Sequence, residues 1–371
     1  MIEPGLPATR GNLARYFLRL GALGFGGPIA LVGHMHRELV EGHGWFTEAE
    51  YREGMALAQL SPGPLAAQLC FYLGYLRGGV AGSALSGVAF VLPSFLMVVA
   101  LGWAYLRYGG LSWMQAVFYG VGAAVIGLIT RSAYGLTRKT IGVDFLLWGI
   151  FLAVAVGTAA TGREPVWMII GGGVLAWIVR APPGLLRRTG TLVDGGSLLL
   201  MLQILGFFGY AGSFVFGSGL AIVPFLHGGV VVQHHWLTER QFLDAVAVAL
   251  ITPGPVVITT GFIGYLIAGL TGACVAAGAT FLPAFLFTVI PAPWFHRYGG
   301  RPWLIAVVAG ITAGATGAIV GAIVILARQS LVDPVTLLVA AGALALAAAP
   351  RKIPEPLIVL AAGLTGLAVR G

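Results

Sequence analysis

Stretches such as 143–161 and 306–327 hold almost nothing that a bilayer would reject. A transmembrane helix needs about 20 mainly apolar residues, so runs of this kind constrain the chain more than any single motif does. Of the 371 residues, 58% are hydrophobic and only 9% are charged. A soluble domain carries about 25% charged residues, so too few are present here to clothe a water-facing surface. A soluble enzyme, a disordered chain and a nucleic-acid binder are thereby excluded. The net charge of +8 does not bring nucleic acid back, because Arg and Lys stand singly at segment ends. There they read as topology signals and snorkelling side chains. The sequence predicts an all-α polytopic membrane protein whose surroundings are lipid.

Cys70 and Cys274 both lie in apolar sequence and read as small buried hydrophobes, not as a disulfide scaffold. The N-terminus lacks the basic, apolar and small-residue order of a cleaved signal. The 57 glycines and 20 prolines are the larger excess. In lipid they are tolerated where helices pack closely, or where broken backbone faces protein or a water-filled cavity.

The chain repeats itself. Pro62-Gly63-Pro64 and Pro253-Gly254-Pro255 stand 191 positions apart, and at that offset Trp45, Thr47, Glu48, Glu53 and Gly26 meet Trp236, Thr238, Glu239, Asp244 and Gly217. Beyond the tripeptides the offset is 190, aligning Gly79 with Gly269, Leu92-Pro93 with Leu282-Pro283, and Trp113 with Trp303. Two homologous repeats are expected, 1–180 and 198–371, joined by a polar linker at 181–197.

Each repeat reads as about six apolar segments, near 13–36, 54–76, 79–106, 112–130, 143–161 and 165–179 in the first. In total about 10–13 transmembrane or re-entrant helices are expected. The first three in each half are interrupted, by Gly26-Gly27-Pro28, Pro62-Gly63-Pro64 and Pro93, and by Gly217-Ser218-Gly219, Pro253-Gly254-Pro255 and Pro283. With a cytoplasmic N-terminus and six spans, ten Lys/Arg of the first half fall inside and four outside. Continuing the count puts five outside and two inside in the second half. The reversal predicts repeats of opposite orientation, with either a re-entrant segment or a linker that crosses once more.

Inverted repeats with matched broken helices point to the binding site of a secondary transporter. The second piece of a broken helix offers unpaired N–H groups carrying roughly half a positive charge, which suits an anion. The candidate substrate-binding residues are therefore Gly26, Gly27, Pro28, Ser61, Pro62, Gly63 and Pro64, with Gly217, Ser218, Gly219, Thr252, Pro253, Gly254 and Pro255. No apolar segment carries a carboxylate near its centre, and no His/Cys/carboxylate cluster has ligand spacing, so neither a metal nor a cofactor is expected. His34, His36, His234 and His235 read as loop or interface residues. Arg37, Arg52 and Arg77 are candidates for steering an anion, although each also reads as a topology anchor. Thr47 to Glu50 and Thr238 to Gln241 fit capping boxes. Glu53 and Asp244, each nine residues before a Pro-Gly-Pro, are candidate proton carriers, weighed against a solvated helix face.

Gly24-Phe25-Gly26-Gly27-Pro28, Trp45 with Thr47-Glu48, Gln59-Leu60-Ser61-Pro62-Gly63-Pro64, Leu92-Pro93 and the second copy ending Thr252-Pro253-Gly254-Pro255 resemble the chromate ion transporter family in its long, two-domain form. The resemblance covers both repeats. It implies export of chromate across the bacterial inner membrane, driven by the proton-motive force, with sulfate as the structural analogue and halves of opposite orientation. The Gly-Ser-Gly at 217–219 departs from the Gly-Gly-Pro of the first repeat, which bears on whether both halves contribute equally. A site of backbone N–H groups and hydroxyls suits any small tetrahedral oxyanion, chromate and sulfate alike, and a transporter or channel for another small anion is the alternative. A membrane enzyme finds no Ser/His/Asp order, no HExxH and no paired carboxylates here. The oligomeric state stays open, a homodimer included.

Overall fold

The computed structural model describes residues 9–24, 27–108, 112–161, 166–180, 196–213, 215, 222–295, 302–349 and 353–370, and among them the regular structure is helical throughout. The first repeat holds α1 (Arg10–Leu23), α2 (Gly27–Met35) continued by a π-helical turn (His36–Gly42), α3 (Glu48–Leu60), α4 (Leu65–Tyr108), α5 (Ser112–Thr140), α6 (Phe145–Thr161) and α7 (Val166–Arg180). The second holds α8 (Gly196–Ser213), α9 (Ile222–His227) with its π-helical turn (Gly228–Gln233), α10 (Glu239–Ile251), a 3₁₀ turn (Val256–Ile258), α11 (Thr259–Val289), α12 (Pro302–Ser330), α13 (Pro334–Ala348) and α14 (Glu355–Arg370). Leu65–Tyr108, Gln115–Arg138, Val256–Val289 and Ile305–Arg328 are long and apolar enough to cross a membrane, and four shorter apolar helices accompany them. Large apolar side chains such as Trp103, Leu106, Trp167 and Leu338 face outward, as a lipid-facing surface requires.

The long α4 is not one straight helix. Gly79 takes φ 59° and ψ −150°, a conformation only glycine adopts readily, and the chain turns back on itself there. A Cβ placed on Gly74 would lie 2.6 Å from the Gly82 carbonyl oxygen. In an unbroken helix those residues would be about 12 Å apart. The two arms, 65–78 and 80–108, therefore run antiparallel. Gly269 (φ 60°, ψ −151°) does the same for α11, where a Cβ on Gly264 would lie 2.3 Å from the Gly272 carbonyl oxygen.

α3 packs along the short first arm of α4. A Cβ on Gly54 would lie 2.5 Å from Tyr72 Cδ1, and Arg77, at the far end of that arm, bonds Glu50 at 3.1 Å. Ser61–Pro64 is thus the tip of a re-entrant helical hairpin, not a kink within a span. α1 lies along the second arm, with Arg10 beside Gly78 and Gly21 against Phe90. α2 and its π turn then return to the hairpin base, where His36 bonds Glu48 at 2.8 Å. Two of the expected segments in each half are hence hairpins. Pro93 and Pro283 do not interrupt their helices; the break in each case falls 14 residues earlier, at Gly79 or Gly269.

The orientation of the repeats follows from the second arm of α4. It leaves the base of the first hairpins at Gly79, and by Gly102 it meets Tyr265, near the base of the second set. That rise is about 33 Å, the thickness of the hydrocarbon core. The bases of the two repeats therefore stand on opposite faces, and the repeats are inverted. Arg180 at the end of α7 bonds Asp144, just before α6, while Phe207 of α8 packs on His234 and Trp236 at the second base. The end of α7 and the start of the second repeat's helices thus stand at opposite bases.

The last helices of each repeat are exchanged. α6 and α7 pack on α12, and α13 and α14 pack on α5. A Cβ on Gly127 would lie 2.4 Å from the Ala340 carbonyl oxygen, and one on Gly317 would lie 2.3 Å from that of Phe151. Backbones this close need small residues at the crossing, which accounts for much of the glycine excess.

Candidate functional site

The interruptions of the two repeats meet in the middle of the molecule. Gly63 N–H donates to the Val215 carbonyl at 2.5 Å, and Gly254 N–H donates to the Gly24 carbonyl at 2.9 Å. Residues 24 and 215, like 63 and 254, stand 191 apart, so the two bonds are one contact written twice by a pseudo-twofold axis. Each Pro-Gly-Pro tip is held by the chain at the opposite repeat's first hairpin break. Gly63 takes φ 147° and Gly254 φ 97°.

The tips are closely covered. A Cβ on Gly254 would lie 1.9 Å from Ser94 Oγ, and one on Gly63 would lie 2.8 Å from Ala284 Cβ. Ser94 and Ala284 are equivalent, each following the proline inside a second arm. The two halves thus present a hydroxyl at one tip and a methyl at the other. Ser61 donates to the Phe287 carbonyl at 3.3 Å, and Thr252 to that of Val248 at 2.7 Å. Thr259 and Thr260 are fully buried behind the second tip.

The first tip opens into the N-terminus of α4. Leu65, Ala66, Ala67 and Gln68 are all buried, and Gln68 N–H to the Pro64 carbonyl, at 2.9 Å, is the first bond of the helical ladder. The N–H groups of residues 65–67 have no acceptor within the helix and sit at its positive end. Gln68 Nε2 donates to the Pro62 carbonyl at 2.9 Å, while its Oε1 is buried without a partner. Gln68 and Ser94 were not among the residues singled out from sequence. The repeat alignment does not mark them, because Ile258 and Ala284 stand at the matching places.

Gly26, Gly217, Ser218 and Gly219 lie outside the described residues, and Gly27 and Pro28 open α2. The three arginines lie near the base of the first hairpins, not at the tips. Arg77 bonds Glu50 and the Trp45 carbonyl, Arg52 bonds Glu48 at 2.8 Å, and Arg37 contacts His34 at 3.2 Å. Thr47 and Thr238 form the expected capping boxes.

The two acids differ more than their alignment suggests. Asp244 is 3% exposed and accepts the Tyr105 hydroxyl at 2.6 Å. Tyr105 belongs to α4, so this bond joins the repeats. Glu53 is half-buried and pairs with Tyr72 of its own repeat. A further pair emerges at the hairpin bases: His36 with Glu48, and His227 with Glu239 at 2.7 Å. His36 and His227 stand 191 apart, a signal available in the alignment. At that interfacial position the bonds to His36 and Arg52 hold the Glu48 carboxyl below the usual carboxylate range. Among the described residues, no group of three His, Cys, Asp or Glu is placed to hold a metal ion.

No solved structure matches the chain. A chromate transport protein of Cupriavidus metallidurans is 59% identical over 97% of this chain and 93% of its own length. A probable chromate transport protein of Synechococcus elongatus is 59% identical over 96% of this chain and 94% of its own. A chromate transport protein of Pseudomonas aeruginosa is 32% identical over 97% and 92%. The family described as Chromate transporter matches residues 11–177 and 202–367, once in each repeat. With two matches that together span most of a multi-pass membrane chain, this protein belongs to the chromate transporter family.

Proposed function

We propose that the protein is a secondary active transporter that exports chromate across the bacterial inner membrane by alternating access, coupled to the proton-motive force. The observation that carries this reading is the reciprocal pair of bonds, Gly63 to Val215 and Gly254 to Gly24, which gathers the breaks of two inverted repeats at one place. Inverted repeats with broken helices at the midplane are the arrangement on which one repeat rocks against the other around a fixed site. Each tip bond is worth only about 1 kcal/mol net, so exchange between states a few kcal/mol apart is within reach.

The substrate sits at the first tip, where the N–H groups of residues 65–67, Ser61 and Gln68 surround it and Thr252 approaches from the opposite repeat. A hydrogen bond from a neutral N–H to an anion contributes about 1.5–3 kcal/mol, so a handful offset part of the cost of stripping water from a tetrahedral dianion. No buried cation is needed, and exit is correspondingly easier. The repeats 1–180 and 198–371, with their last helices exchanged, supply the moving parts around the substrate. Arg37, Arg52 and Arg77 steer anions towards the hairpins from one face. Asp244 carries the coupling proton.

The test is uptake of radiolabelled chromate into inverted vesicles under an imposed proton gradient, with a protonophore control. Saturable, gradient-dependent uptake that a Pro62→Ala/Gly63→Ala variant lacks is the expected result. No uptake above empty vesicles, with the protein folded and inserted, overturns the chromate reading; unsaturable flux makes it a channel.

A further inference from the structure

The bond between Tyr105 and Asp244 does more than bury a carboxylate. It runs from the second arm of α4 to α10, that is, from one repeat to the other. Asp244 has 3% exposure, yet among the described residues no Lys, Arg or His is bonded to it. The groups that act on its charge are the Tyr105 hydroxyl and Arg240, one turn earlier on the same helix and exposed. Rings surround the Tyr105 side chain, Phe118 of α5 and Phe262 of α11 each 5.8 Å from it, and the titratable group of α9, His227, bonds Glu239 at the start of α10 instead. On α14 the charged group at this end is Arg370, which bonds Asp333 instead.

We propose that Tyr105 and Asp244 form a proton-operated latch between the repeats, one per molecule, with Tyr105 as the positioning residue through which protonation of Asp244 reaches the moving parts. The proposal rests on the transporter reading above and deepens it. A buried carboxylate bonded by a hydroxyl is a charge-assisted pair, roughly twice as strong as a neutral one. While Asp244 is ionised the pair ties α10 to α4 and holds the repeats in the arrangement described here. A proton taken from water onto a carboxylate oxygen removes the charge, leaves a weaker neutral bond and frees the arms to move. Its release on the other side of the cycle restores the tie. The proton is the only species transferred, and no bond to the substrate is made or broken.

Pseudo-symmetry adds a second point. The residue that matches Tyr105 in the second repeat is Phe295, which has no hydroxyl, and Glu53 pairs within its own repeat. The latch thus has a single copy, at the base of the second hairpins. If the N-terminus is cytoplasmic, as the Lys/Arg count indicates, that base faces the periplasm, the side from which the proton-motive force drives protons inward.

The experiment uses the full chain in proteoliposomes, with two modes of chromate movement measured side by side. Gradient-driven accumulation requires the latch; chromate–chromate exchange at equal pH does not. Asp244→Asn and Tyr105→Phe should each lower accumulation about tenfold or more while exchange stays within about threefold, and Glu53→Gln should spare both. Tyr105→Phe should also raise the pH midpoint of accumulation by about one to two units, because a hydrogen bond that favours the carboxylate is lost. Full accumulation in Asp244→Asn overturns the latch, and an unshifted pH midpoint in Tyr105→Phe overturns the part given to Tyr105. The infrared band of protonated carboxyl, titrated in the purified protein, reads the latch without chromate. A component lost in Asp244→Asn and moved to higher pH in Tyr105→Phe would uphold it even if the wild type moved no chromate, which would sink the transporter reading alone. No such component would overturn it.

Discussion

Gly254→Ala should damage the site through a contact that a second substitution can remove. The new methyl carbon would stand 1.9 Å from Ser94 Oγ and 3.2 Å from the Gly21 carbonyl oxygen, at a residue with φ 97°. Backbone strain of this kind costs about 1–3 kcal/mol and overpacking about another 1–3 kcal/mol. At about 2 °C per kcal/mol for a chain of this size, the melting midpoint in detergent should fall by about 4–12 °C. Ser94→Gly alone loses only the 3.3 Å bond from Ser94 to Gly21 and a small side chain, about 1 kcal/mol. In the double variant the clash with Ser94 is gone, and the backbone strain and the 3.2 Å approach to the Gly21 carbonyl oxygen remain. It should therefore melt above Gly254→Ala, with a coupling of about 1–3 kcal/mol between the positions. Gly63→Ala paired with Ala284→Gly should be rescued less, because Gln68 also stands 2.6 Å from the added carbon. Simple additivity of the Gly254 and Ser94 effects would refute the argument that second arms cover the tips.

Three further outcomes follow from the same geometry. With Cys70 and Cys274 replaced by Ala, Arg52→Cys and Arg240→Cys should react with a membrane-impermeant maleimide from opposite faces; labelling from one face would contradict inverted repeats. Gln68→Leu should weaken chromate binding about tenfold or more, read as the concentration giving half-maximal uptake, since it removes the buried amide at the first tip; an unchanged value places the substrate elsewhere. Gly120→Val, whose Cβ would meet the Ala362 carbonyl oxygen at 1.9 Å, should lower the melting midpoint by several degrees. Gly278→Val, with nothing within 4 Å, should not.

Much of the architecture was legible because duplication leaves a numerical trace. The offset of 191 at Trp45, Glu48 and Pro62 exposed the two repeats, and the Lys/Arg reversal exposed their inversion. Both signals survive because they concern composition and register, which a bilayer constrains strongly. The hairpins were harder to read. An apolar stretch such as 54–76 has the length of a span, and only the return of Arg77 to Glu50 shows that it enters and leaves by one face. Pro93 looked like a break because proline removes a ladder bond, yet the helix continues through it. Gly79, with no Cβ and a positive φ, turned the chain instead. The exchanged packing of α6 and α7 with α12 lies beyond any pattern within one repeat, since it depends on which surfaces meet.

The two tips depart from the repeat in ways that the proposed proton-coupled cycle would use. A perfectly symmetric pair of tips would bind a substrate on the twofold axis and offer it the same groups from both sides. Here the first tip carries Gln68 and faces Ala284, while the second faces Ser94 and is backed by Thr259 and Thr260. The acid of the second repeat is tied across the interface by Tyr105, whereas the first repeat's acid pairs with Tyr72 of its own repeat. Alternating access asks only that the scaffold be symmetric, so that inward- and outward-facing states have similar energies. Coupling to a proton asks for the opposite, a titrating group that distinguishes the two states, because a group acting equally on both shifts nothing. Two equivalent latches on opposite faces would oppose one another under a gradient. The loss of one tyrosine hydroxyl, at Phe295, is therefore the kind of difference that lets an inverted pair of repeats work in one direction.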